Sequence, residues 1–154
     1  MKKLFVILLS LLLIVGVFVL EGGSVAALLC FSSFVPIFFG TILSALFSYR
    51  ISEVTRAFAD GFSEVVEFDK HGEYKVDLAV FRNMSAAIVF WSLAIAVLAA
   101  IVILSGLREI DMIGPPLAAG MTALLYGFGI KAIILIPLEN SILRKTLMVE
   151  NNQK

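Results

Sequence analysis

Four long apolar runs dominate the pattern of this chain, at 4–20, 25–47, 84–105 and 112–138, and the charged positions fall almost entirely outside them. A hydrocarbon core about 30 Å thick needs roughly 20 apolar residues of helix, since only a helix satisfies its own backbone polar groups where water is absent. The second, third and fourth runs are long enough to cross with some tilt, and the first is near the lower limit. The pattern predicts an all-α membrane protein: a single membrane domain over 1–154 with four transmembrane helices, a cytoplasmic segment at 48–83 and a cytoplasmic tail at 139–154.

Within 48–83 the periodicity changes. Ile51, Val54, Phe58, Phe62 and Val65 recur at spacings of three and four, with Ala57 beside them, while Ser52, Glu53, Arg56, Asp60, Ser63, Glu64 and Glu67 fall mostly opposite. That predicts a short amphipathic helix continuing directly from the second span. Asp69-Lys70-His71-Gly72 reads as a turn, and Asp77 to Asn83 leads into the third span. Gly106, Gly114, Pro115 and Pro116 bracket the turn before the fourth helix, which should start near Pro116 because proline's missing N–H is unpaired in a first turn anyway. Pro137 should kink or end that helix.

Composition strengthens the class. Hydrophobic residues make up 60% and charged residues 16%, with a mean hydropathy of +1.03, whereas soluble domains carry about 25% charged residues. Charge then sets the orientation. With the N-terminus inside, the cytoplasmic segments hold Lys2, Lys3, Arg50, Arg56, Lys70, Lys75, Arg82, Arg144, Lys145 and Lys154, and the outside turns at 21–24 and 106–111 hold only Arg108. Short cytoplasmic segments carry the excess of Lys and Arg, so both termini are expected in the cytoplasm. Lys2-Lys3 before an apolar run, with Ser24-Val25-Ala26 as a loose cleavage site, also fits a secretory signal peptide, whose removal would leave three spans. The second run follows too closely for a mature domain, which favours a span. A lipoprotein signal at Cys30 is disfavoured by bulky Leu29.

Candidate chemistry is sparse. The spans hold no Asp, Glu or His, and Lys131 is the one charge at membrane depth. A charge there is a functional suspect, yet Lys131 lies about two turns from the cytoplasmic end, within reach of the headgroups by its own stem. One cysteine and one histidine, His71 in a turn, make neither a disulfide nor a zinc site, and no triad can be assembled. No enzyme activity, cofactor, metal or nucleic-acid partner is expected. Small residues carry a further signal: Ala94, Ala96, Ala99 and Ala100 in the third span, and Ala118, Ala119, Gly120, Ala123, Gly127 and Gly129 in the fourth. In lipid, helices associate by close approach at such residues, within one chain or around an oligomer axis.

Several stretches, taken in order, resemble the MotA/TolQ/ExbB proton-channel family, closest to its motility protein A (flagellar stator) branch, in a shortened form. They are Leu20-Glu21-Gly22-Gly23-Ser24, Leu28-Leu29, Phe39-Gly40-Thr41, and Glu53-Val54 followed by Arg56-Ala57-Phe58. The fullest runs from Ile113-Gly114-Pro115 through Leu125-Tyr126-Gly127 to Ile136-Pro137 without gaps. The resemblance covers the first, second and fourth spans well and the third weakly. It implies a subunit of an ion-driven motor complex in the bacterial inner membrane, a homo-oligomer (pentamer) around a single-span partner of the motility protein B or ExbD kind that supplies the acidic residue.

On that resemblance, Ala96, Thr122, Ala123, Tyr126 and Gly127 are pore-lining candidates, Pro115, Lys131 and Pro137 are helix-end or gating candidates, and Glu53, Arg56 and Glu64 are candidate partner contacts. The family's pore-facing threonines fall here near Ala96 and at Ala123–Leu124, with Thr122 adjacent; its large cytoplasmic domain is reduced to 48–83; and Lys131-Ala132 replaces small and amide-bearing residues. A non-conducting structural or regulatory relative is therefore a second expectation. A four-helix solute exporter is the least favoured, because no intramembrane acid is present to couple protons.

Overall fold

The apolar runs fold as helices, and the charged segments between them turn out to be helical too. The computed structural model describes residues 2–20, 22, 30–105 and 113–152, all of whose regular structure is helical. In chain order these are α1 (Lys2–Leu20), α2 (Phe31–Ser48), α3 (Ile51–Phe62), a 3-10 turn (Phe68–Lys70), α4 (His71–Ser105), α5 (Gly114–Ile130), a π-helical turn (Lys131–Leu135) and α6 (Ile136–Asn152). Three stretches are long and apolar enough to cross a membrane: Phe31–Ser48, Gly72–Ser105 and Gly114–Asn152. Phe5–Leu20 is a shorter apolar helix. The expected outside turns with Arg108 (Gly22 excepted), the Gly23-Ser24 and Leu28-Leu29 motifs, the start of the second span and the His71 side chain lie outside the described residues.

Four expectations are corrected. The amphipathic helix does not continue from the second span: Tyr49 and Arg50 are extended, and the Arg50 N–H donates to Glu53 Oε2 at 2.8 Å, so α3 starts with its own cap. That helix also stops at Phe62, leaving Val65 exposed beyond it. The turn at 69–72 shrinks to Phe68–Lys70, and α4 begins at His71, well before the third apolar run. At 35 residues α4 is about 52 Å long, so its charged first part projects beyond a hydrocarbon core about 30 Å thick. Lastly, of the two outcomes expected at Pro137, the helix does not end there. It cannot donate to the Ile133 carbonyl and its ring would crowd that oxygen; the wider π turn just upstream accommodates both, with the Ile136 N–H reaching back to the Lys131 carbonyl. The helix runs on to Asn152 as α6.

The tightest packing sits at the charged end. Ala57 of α3, Tyr74, Val80 and Phe81 of α4, and Leu138, Ile142 and Val149 of α6 are all essentially without exposure, and the Phe58 and Phe81 rings meet edge to face at 5.3 Å. Along the apolar runs, large side chains such as Leu12, Phe47, Val97 and Leu104 stay exposed. Water drives burial only where water is the solvent, so this division fits helices whose middle faces lipid.

Candidate functional site

The seam between α4 and α5 is built by small residues. A Cβ on Gly120 would stand 3.0 Å from the Ala99 Cβ and 3.6 Å from the Ala96 Cα. One on Gly127 would run into the Ser92 side chain and lie 3.2 Å from the Ile88 carbonyl oxygen. Ala123, between them, is fully buried. The same device joins α2 to α4: the Trp91 ring occupies the space a Cβ on Gly40 would need, at 2.5 Å, and its indole N–H donates to Ser44 Oγ at 3.3 Å. Glycines let the backbones approach until such contacts form.

Along this seam runs a groove of about 200 Å³, lined by Ala96, Ala99 and Ala100 of α4 with Pro116, Gly120 and Leu124 of α5. It holds no hydroxyl and no titratable side chain. Of the five predicted pore-lining residues, only Ala96 lines it. Ala123 and Gly127 are spent on the seam itself. Thr122 and Tyr126 look the other way. Thr122 Oγ1 donates to the Ala118 carbonyl at 2.7 Å and borders an apolar cleft shared with Phe18 of α1. The Tyr126 hydroxyl accepts from the Cys30 N–H at 3.2 Å, and its ring meets Phe34 of α2 at 5.7 Å. The structure thus separates Ala96 from Thr122 and Tyr126. Leu117 and Leu124 of the groove were not named as site residues, although Pro116, Gly120 and Leu124 recur every four positions, as one helix face must.

The remaining candidates sit apart from the groove. Pro115 is in the first turn of α5 and is exposed. Lys131 opens the π turn and is half-buried, and Pro137 lies just past the end of that turn. Glu53 caps α3, and Glu64 is exposed in the loop after it.

Arg56 is committed within the chain. Its guanidinium holds Asp77 at 3.2 Å and Glu73 at 3.7 Å, tying α3 to α4. Asp77 has no exposed surface. It precedes the apolar run of α4, so it lies outside the membrane-crossing part. Burial pushes its carboxyl up from 3.8 to about 6; Arg56 pulls against that, and the neighbouring Asp60 carboxylate adds to it. On the third side, Lys145 of α6 is buried, donates to the Asp60 carbonyl at 2.8 Å and stands 5.5 Å over the Tyr74 ring. Sequence reasoning missed this cluster because it treated 139–154 as a solvated tail. The signal was the spacing of Leu138, Ile142, Lys145 and Val149, one face of a helix with a lysine inside it.

Among the described residues no group of His, Cys, Asp and Glu is arranged to hold a metal ion. The sequence matches no model of a known family and no curated protein.

Proposed function

We propose that this chain is a stator-like subunit of an ion-driven complex in the bacterial inner membrane. In this reading four spans cross the bilayer with both termini in the cytoplasm. Copies of the chain, five by the family resemblance, assemble around a single-span partner of the motility protein B or ExbD kind, whose acidic residue carries a proton or sodium ion. The observation that carries the reading is the ungapped order Gly114-Pro115, Tyr126-Gly127, Pro137 on one helical run. The small-residue groove of α4 and α5 supports it, since close helix approach in lipid needs such a surface. The lack of any acid in the apolar runs agrees with a carboxylate supplied from outside the chain.

Purification in mild detergent with a co-expressed single-span partner should give a multimer that retains the partner. A strictly monomeric chain under those conditions refutes the proposal.

One observation favours the second reading, a non-conducting structural or regulatory relative: the groove carries no hydroxyl, and Thr122 faces away from it. Water and a visiting carboxylate would find no hydrogen-bond partners there, at a cost on the order of 1–3 kcal/mol per unsatisfied group. Ion flux into liposomes, with and without the partner, separates the two. Partner-dependent flux excludes the structural reading, and an assembled complex without flux supports it.

A further inference from the structure

Beyond any ion path through the spans, the charged end of the protein carries a site of its own. We propose that Asp60 and Asp77 form a proton-binding pair that latches α3 to α4 and α6, holding one shared proton while the latch is closed and loosening when that proton leaves.

The geometry starts from a shortage of donors. Arg56 Nε and Nη2 both take Asp77 Oδ1, each at 3.2 Å, which leaves Asp77 Oδ2 buried with no donor. Asp60 Oδ2 is also buried with no donor. The Asp60 carboxyl is a neighbour that raises Asp77, through its charge and through hydrogen bonding. A buried carboxylate oxygen without a donor needs a hydrogen, and a proton on the pair supplies it. Divalent metal is disfavoured as an alternative, because the described residues offer no third acidic, His or Cys ligand in ligating position.

Charge bookkeeping gives the same answer. From α3 the cluster receives Arg56 and Asp60, and from α4 Glu73, Asp77 and the Tyr74 hydroxyl. The 3-10 turn adds Lys70, which pairs with Glu67 at 3.0 Å and feels both Asp60 and Glu73. α6 adds Lys145, aimed at the Asp60 backbone carbonyl. Arg56 is thus shared between Glu73 and Asp77, with Asp60 as a further acid beside Asp77, and one proton on the Asp60–Asp77 pair relieves the excess negative charge.

The sign follows from linkage. Asp77's carboxyl sits higher in the closed state, near 6, than its ordinary 3.8. The closed state therefore binds more protons between those values, and raising pH through that window favours opening, with no further change well above 6. From pH 5 to pH 7 the opening equilibrium of α3 should rise about tenfold.

Hydrogen exchange of the α3 amides in the full chain in detergent, corrected for intrinsic exchange rate, reads this directly. Wild type should show the tenfold rise, and Asp77→Asn should abolish it. No rise in wild type, or an undiminished rise in Asp77→Asn, overturns the proposal. If Asp77→Asn fails to fold, the infrared carbonyl band of the protonated carboxyl serves instead, compared with Asp60→Asn. Removing the Asp60 charge should shift the midpoint of that band to lower pH, and an unchanged midpoint overturns the pair. Exchange that responds to sodium at fixed pH but not to pH itself would mean a cation fills the site, and overturns it as well.

Discussion

Replacing Arg56 with glutamine isolates the energetics of the buried acid it serves. Removing one partner of a buried ion pair usually costs about 3–5 kcal/mol, because the other charge is stranded. Asp77 has an escape, since it can take up a proton instead. Folding with Asp77 held protonated costs about 5 kcal/mol at pH 7.5, from the 3.8 of the free side chain. In wild type, with the carboxyl near 6, the burial of Asp77 already costs about 3 kcal/mol at that pH. The pH-dependent part of the Arg56→Gln penalty is therefore about 2 kcal/mol at pH 7.5, and it falls close to zero at pH 5, where Asp77 is protonated in both proteins. Only the loss of the hydrogen bonds themselves, about 1 kcal/mol, persists at low pH. Unfolding in mixed micelles with rising SDS, run at pH 5 and pH 7.5 on both proteins, measures the difference. A penalty equal at the two pH values, or larger at pH 5, refutes the account of Asp77 as a desolvated acid balanced by Arg56.

Other expectations follow from packing. Gly127→Ala drives a Cβ into Ser92 and should destabilise α4 against α5 by about 1–3 kcal/mol, partly offset by the better helix propensity of alanine. Adding Ser92→Gly should leave the double variant at least about 1 kcal/mol more stable than the sum of the single effects; simple additivity in the same SDS titration would count against the seam. Ile142→Ala removes a fully buried side chain of α6, the helix that packs on α3 and α4, and should cost about 2–5 kcal/mol, where a solvated tail would lose almost nothing. Arg82→Ala should cost under about 1 kcal/mol, because its 3.4 Å pair with Glu139 is largely exposed on the arginine side.

The helical class was legible because lipid imposes a simple rule on sequence: runs of about 20 apolar residues, free of charge, must be helices. The runs at 25–47, 84–105 and 112–138, which fall largely within the helical stretches Phe31–Ser48, Gly72–Ser105 and Gly114–Asn152, announced themselves that way, as did the start of α5 at Pro115-Pro116. Boundaries in the charged segments were harder to read. Nothing in the periodicity of 48–65 marks the break at Tyr49–Arg50, because the backbone turn comes from a cap between Arg50 and Glu53, a contact three residues long inside an amphipathic pattern that looks continuous.

The candidate site divides in the same way. Residue types gave the small-residue surface of Ala96, Ala99 and Gly120, since close approach in lipid demands such residues wherever the partner helix lies. Which side of α5 each residue presents is a rotation of 100° per position, and one step carries Thr122 away from the face that Ala123 buries. By itself the sequence determined that the apolar runs are helical and where the chain is too apolar for water, because those depend on neighbours along the chain. Only the tertiary structure decided that Lys145, 85 positions from Asp60, reaches its carbonyl, and that Arg56 and Asp60 come together around the buried Asp77. Such contacts join residues distant in sequence, so their energies are set by burial and by facing charges that no local pattern records.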